Sequence, residues 1–239
     1  DGYLATCPAI SFEESYRKKD GTPGRLTFGP TMDNQILRDL FTNCILASSV
    51  LEVDADFREQ ITTARSRLRP TQISTQTGRI MEWAFPAEKV GRGNQNCGQT
   101  APLWGVSPGR QITPQDTPEL ANAAIKYLQY HVPRIYGYES EGSWVTGTIL
   151  NHWTRLHRPA EAHATMEQAL TKRVWPNMMM HFYGKDYFQI DGNMGTTAGM
   201  TEMLLQSHTG VIHVFPAIPD SWEDASFENL RAVGAFLIS

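Results

Sequence analysis

Cysteine is scarce in this sequence: three in 239 residues, at Cys7, Cys44 and Cys97, with no CxxC spacing. That excludes a disulfide-built scaffold and leaves at most one bridge and one free thiol. The other reading of the three is small buried hydrophobes. No apolar stretch approaches the roughly 20 residues of a membrane helix, and the opening "DGYLATCPAI" is not a signal peptide. Surplus charge is equally lacking: 21 Lys and Arg against 25 Asp and Glu give a net −4 with no basic run. Neither nucleic acid nor an anionic membrane is therefore an expected partner. Phosphate-binding glycine loops are missing, because "DGNMG" and "GRGNQNCG" match neither the P-loop nor the dinucleotide fingerprint. The seven histidines (131, 152, 157, 163, 181, 208 and 213) include no HExxH and no zinc spacing. A GxSxG nucleophile elbow is absent as well.

What is present is an ordinary globular composition, 41% hydrophobic and 19% charged. That is enough apolar mass for one large domain or one and a half. Residues 1–30 read as irregular chain. Behind Pro30 and a Thr31 cap, Ile36, Leu37, Leu40, Phe41, Ile45 and Leu46 fall on one helical stripe. A second helix fits 54–68, ending before Pro70. Residues 70–116, punctuated by Pro and Gly, resist a helical reading, and a loop of that length points to function or disorder. Helices resume at "TPELANAAIKYLQYHV", where Thr117 caps and Pro118 takes the first turn. Others fit 143–156, "PAEAHATMEQALTKRV" and 196–207. Beyond "HTG", "VIHVFPAIP" and "LRAVGAFLIS" read as strands. The run "WPNMMMHFYGK" reads as packing methionines.

With the other chemistries excluded, carboxylates in apolar and aromatic settings remain. In "GRIMEWAF", Glu82 lies between Met81 and Trp83. An acid beside an indole tends to be desolvated, which suits it to hold and donate a proton. The alternative is an outward-pointing Glu on a short strand. In "YFQIDGNMGTTAGM", Asp191 precedes a glycine turn and a helix expected from about Thr196. A helix N-terminus favours an ionised carboxylate there, although a plain cap or turn residue fits the same position. One acid that holds a proton and one that stays ionised is the arrangement a glycosidase uses. Trp83, Trp104, Trp144, Trp153, Tyr187 and Phe188 lie near these acids, as sugar-stacking faces or as core. Trp83, Trp104, Trp144 and Asn193 are the substrate-binding candidates.

Taken in order, "YLATCPAISFEESY", "FGPTMDNQILRDLF", "GRIMEWAF", "PGRQITPQDTPELANAA", "FQIDGNMGTTAGMTEMLLQS" and "VFPAIPDSW…NLRAVGAF" resemble glycoside hydrolase family 95. That family comprises inverting 1,2-α-L-fucosidases with some α-L-galactosidase members. The resemblance runs in collinear blocks over nearly the whole chain. It implies a mainly α fold: residues 1–209 as a portion of an (α/α)6 barrel, and 210–239 as the beginning of a C-terminal β domain. It also implies that Glu82 is the general acid and that Asp191 activates the water. Inverting carboxyls stand roughly 6.5–9.5 Å apart to make room for that water. No metal or organic cofactor is implied. The expected partner is a fucosylated oligosaccharide or glycan, and the expected location extracellular or periplasmic.

The sequence departs from the family pattern at several polar positions. The family pairs the base aspartate with two asparagines of an NxN segment upstream of the first block. The histidines of its RHxSHL motif correspond to Gln99 and Pro102, and the histidine of HPPFQID to Lys185. In the GWSxxWKxxLWARL segment, Trp144, Trp153 and Arg155 are kept, while a Trp is replaced by Thr148 and a Lys by Ile149. Two expectations follow: a fucosidase-type hydrolase, or a catalytically impaired relative that binds a glycan or a protein. A portion of a helical barrel also leaves apolar helix faces to cover, so self-association or a partner chain completing the barrel is expected.

Overall fold

A computed structural model describes residues 2–87, 100–136, 142–182 and 187–239, with the side chains of 134–136 left aside. Cys97, Gln99 and Lys185 lie outside the described residues. The architecture is mainly helical, as expected of part of an (α/α)6 barrel, with short strands towards the C-terminal end. The chain divides into two compact units, Asp1–Gln111 and Ile112–Ser239.

In the first unit, helix α1 (Thr31–Leu51) and helix α2 (Ala55–Ser66) form a hairpin. Glu52 and Asp54 take left-handed backbone conformations, with φ of 56° and 54°, to turn the chain between them. The expected apolar stripe exists but is incompletely covered: Leu40 is 50% and Leu46 54% exposed. The buried residues of α1 are instead the polar Thr31, Asn34 and Gln35 at its first turns. Gln35 shows why polar residues are tolerated there. Its amide donates to Pro102 O (2.9 Å) and Thr71 Oγ1 (3.1 Å) and accepts from Gly105 N (2.9 Å). A buried amide satisfied this fully organises the irregular chain around it. That chain is the non-helical 70–116 stretch, within which the described residues hold a single 3-10 turn, Ala101–Leu103.

Thr31 departs from its expected capping role. Pro30 occupies the cap position, and the Thr31 hydroxyl donates to Met81 O at 2.6 Å. Near the start of the unit, β1 (Tyr16–Arg17) pairs antiparallel with β2 (Pro23–Gly24). Cys7 is an exposed free thiol and Cys44 a half-buried one, so neither is the fully buried hydrophobe of that reading.

In the second unit, α3 (Pro118–Tyr136), α4 (Ser143–Arg155), α5 (Pro159–Lys172) and α6 (Ile190–Leu204) surround a core supplied chiefly by α4. Ile149 and Leu150 are 0% exposed. Helix α6 begins at Ile190 rather than near Thr196, although "DGNMG" disfavours helix. Each glycine costs a helix about 1 kcal/mol relative to alanine, so packing must supply the difference. A Cβ on Gly192 would stand 2.0 Å from Ser143 Oγ, and one on Gly199 2.5 Å from Leu150 Cγ. The glycines let α6 lie directly against α4, where burying a Leu or Ile side chain contributes about 1.5–3 kcal/mol. Asn151 Nδ2 bridges the crossing, donating to Gly147 O and Gly195 O, each at 2.7 Å.

At the far end of this packing, Arg155 of α4 forms a two-pronged ion pair with Glu202 of α6, both contacts 2.6 Å. Beyond α6, β3 (Leu205–Gln206) pairs with β4 (His213–Val214), and β5 (Leu230–Arg231) pairs with β6 (Leu237–Ile238). Of the expected strands, "VIHVFPAIP" contributes only His213–Val214, and "LRAVGAFLIS" folds back on itself as β5 and β6 rather than running as one strand. The methionine run divides: Met180 is buried, whereas Met178 and Met179 are exposed. Packing accounts for the first only.

Candidate active-site carboxylates

Glu82 lies inside the first unit, 7% exposed, so the outward-pointing alternative does not hold. Two segments distant in sequence hold it. Its backbone carbonyl accepts from Thr31 N at 3.0 Å, which ties it to the start of α1. Its carboxyl oxygen Oε1 accepts a hydrogen bond from Ser11 Oγ, a buried contact between residues 71 positions apart. Ser11 in turn belongs to a closed turn, with Glu14 N donating to Ser11 O at 3.0 Å.

Trp83, beside Glu82, is 2% exposed and packed among the protein's own rings. Its centroid lies 5.6 Å from that of Tyr16 in an edge contact and 6.4 Å from that of Phe85, nearly parallel. Among the described residues its indole N–H has no hydrogen-bond partner. A buried donor left unpaired costs about 1–3 kcal/mol, so this atom is the unfinished contact of an otherwise packed wall. Trp104 is half-buried, its carbonyl accepting from Gly109 N at 2.8 Å.

In the second unit, Asp191 is exposed in the first turn of α6, so it is neither a cap nor a residue of a preceding turn. The cap position belongs to Gln189. Its side-chain Oε1 accepts from Trp144 N (3.0 Å) and Ser143 Oγ (3.1 Å) at the start of α4. One glutamine therefore joins the N-terminal ends of two helices beside Asp191, and both dipoles favour negative charge at such ends. Around the carboxylate, Tyr187, Phe188, Ile190 and Met194 are all exposed. Trp144 is half-buried in the first turn of α4. Asn193 is committed to the backbone: Oδ1 accepts from Met180 N (2.8 Å) and Nδ2 donates to Met178 O (2.9 Å). That pairing anchors the 178–180 loop to α6.

At and beyond the C-terminal end of α4 the second unit holds histidines whose charge is disfavoured. Burial lowers the pKa of His152 to about 3, with a smaller push from Arg155. Burial likewise takes His208 down to about 4, with Arg155 adding to the shift and Glu202 opposing it. His157 is lowered chiefly by burial, against a hydrogen bond to Gln206 Oε1. No three His, Cys, Asp or Glu among the described residues are placed to hold a metal ion. No described helix is long and apolar enough to cross a membrane.

Sequence reasoning brought forward Glu82, Asp191 and the tryptophans but not Ser11 or Gln189. Ser11 lies in "AISFEESY" with no local signal of its partner, because the contact spans 71 positions. Gln189 carried a fainter one, a polar residue between the apolar Phe188 and Ile190 at a helix start.

Comparison with known proteins adds an independent finding. The glycosyl hydrolase family 95 catalytic domain profile matches residues 1–204, and that of the family 95 C-terminal domain matches residues 206–239. "Alpha-L-fucosidase 2" of Arabidopsis thaliana is 31% identical over 252 residues, covering 100% of this chain. The chain spans 28% of that relative's length.

Proposed function

Because this chain belongs to glycoside hydrolase family 95, we propose that it contributes the acid and base carboxylates of an inverting α-L-fucosidase-type hydrolase. Its substrate is an α-linked fucosyl or galactosyl glycan. Glu82 protonates the departing glycosidic oxygen, and Asp191 takes the proton of the attacking water. The observation that carries this reading is the placement of Glu82. Its carboxyl is buried beside Trp83 and accepts a hydrogen bond from Ser11 Oγ, so an acid stands inside the fold at the position where the family's motif carries one. Trp104 beside the first acid and Trp144 beside the second are the half-buried rings this reading offers to a sugar; Trp83 packs among its own neighbours and Asn193 holds the 178–180 backbone.

Proton NMR of an α-1,2-fucosylated oligosaccharide during hydrolysis provides the test. β-Fucose should form first and mutarotate afterwards. Initial α-fucose, or no release at all, would overturn the proposal.

A second reading is favoured by one feature of α4. Ile149, where the family carries a lysine, is 0% exposed in the core, and the Thr148 hydroxyl is turned back onto Trp144 O at 2.9 Å. A relative that binds a fucosylated glycan without cleaving it fits these changes. Binding retained with no fucose release would select it.

The α1–α2 hairpin supports association under either reading. Val50 (82%), Leu51 (68%) and Phe57 (55%) are exposed there together with Leu40 and Leu46, and apolar patches of this kind mark interfaces. We expect a second copy or another chain to cover them. Light scattering after size exclusion should give a mass above 26.8 kDa for the isolated chain. A well-folded monomer at both low and high concentration would refute this.

A further inference from the structure

We propose that Gln189 is a positioning residue for Asp191, fixing where the base meets the attacking water; this rests on the base reading of Asp191. The Asp191 side chain is exposed in the first turn of α6, so the backbone beneath it decides where it can reach. That backbone is tied down on both flanks. Gln189 N donates to Met180 O and Met180 N donates to Asn193 Oδ1, each at 2.8 Å. One residue of the 178–180 loop thus grips the chain two positions before the acid and two after it. The third tie is the Gln189 side chain, whose Oε1 accepts from Trp144 N at 3.0 Å and from Ser143 Oγ at 3.1 Å. Ser143 is 0% exposed and also lies against Gly192, on the other side of Asp191.

The oxygen of the Gln189 amide, not its nitrogen, must face α4, because Trp144 N can only donate. Two donors on one oxygen fix the rotation of the side chain and make α4 and α6 start at one joint. In the reaction the bond from C1 to the leaving group breaks, and its electron pair departs with that group. Water forms the new C1–O bond from the opposite face and gives its proton to Asp191. That transfer requires the carboxylate within hydrogen-bond reach of the water, and a displacement of about 1 Å can cost about 10²-fold in rate. Loosening the joint moves the carboxylate without altering its chemistry.

α-L-Fucosyl fluoride reports on this half of the reaction, because fluoride leaves with little acid assistance while water must still be activated. In the whole protein, Gln189→Leu keeps much of the side chain's bulk and removes the acceptor. It should lower kcat by about 10²-fold with KM within about 2-fold of wild type. Gln189→Glu, whose carboxylate still accepts from both donors, should recover kcat to within about 5-fold of wild type. A double-mutant cycle with Asp191→Asn separates positioning from damage. Because Gln189 acts through the base, Gln189→Leu added to Asp191→Asn should cost less than about 3-fold more. Equal factors in both backgrounds would mean general structural damage and would overturn the proposal. So would no loss with Gln189→Leu, or no recovery with Gln189→Glu. Should Gln189→Leu melt below the assay temperature, Ser143→Ala removes one of the two donors and runs through the same cycle with the same criterion. If the wild type does not turn over the fluoride, or Asp191→Asn matches it, the base reading itself fails and the role of Gln189 with it. A loss with Asp191→Asn but none with Gln189→Leu removes only the role of Gln189.

Discussion

Replacing Glu82 by glutamine should reduce fucose release from an oligosaccharide by about 10²- to 10⁴-fold, the usual contribution of a positioned general acid. The substitution is close to isosteric. Glutamine retains an oxygen that accepts from Ser11 Oγ, and its backbone carbonyl still accepts from Thr31 N. Folding should therefore survive, and the loss should fall on kcat rather than KM, because the missing proton matters only as the leaving oxygen gains charge. Asp191→Asn should be comparably severe for the opposite reason, loss of the group that accepts the proton of water. Asp191 is exposed in the first turn of α6, so asparagine there should leave stability nearly untouched. Initial rates by fucose detection, with melting temperatures for both variants, decide the matter. Retention of more than about one-tenth of wild-type kcat by Glu82→Gln would be incompatible with general-acid catalysis by this residue.

Acidification should destabilise the protein by a few kcal/mol between pH 6.5 and about 3, with His152 the largest single contributor. In the folded chain this ring is 1% exposed and stays neutral down to about pH 3, because burial and the nearby Arg155 both oppose its charge. In the unfolded chain it takes up a proton near its ordinary value of 6.5. Below that pH the unfolded state binds more protons than the folded one, so stability falls as pH falls. Above it the two states bind equally and the term vanishes. His208 and His157 act in the same direction, His208 less strongly because Glu202 partly offsets its shift.

Denaturant midpoints measured at pH 7.5, 6, 5 and 4 should decline steadily. His152→Leu should make that decline visibly shallower, whatever it does to stability at pH 7.5. An unchanged slope in the variant would refute the assignment.

Much of this molecule was legible before any fold was known. The apolar spacing of 31–51 and 143–155, Pro118 and Pro159 at helix starts, and the Pro- and Gly-rich 70–116 stretch are local signals, and the local elements follow them. Collinear motifs likewise carried the family assignment, with Glu82 and Asp191 as the acids to examine.

What could not be read locally depended on partners far along the chain. A glycine-rich "DGNMG" argues against helix until α4 is there to receive it, and Gly192 then becomes the residue that permits contact with Ser143. Thr31 resembles a cap, yet its hydroxyl goes to Met81, 50 positions away. Asn193 resembles a sugar contact, yet both ends of its amide are taken by the 178–180 backbone. The identity of the elements and of the candidate acids came from the sequence itself, because periodicity, turn residues and motifs act over a few residues. The inward setting of Glu82, its bond to Ser11 and the start of α6 were decided by tertiary structure alone. Burial and hydrogen bonding depend on which distant segments pack together, and no local pattern encodes that.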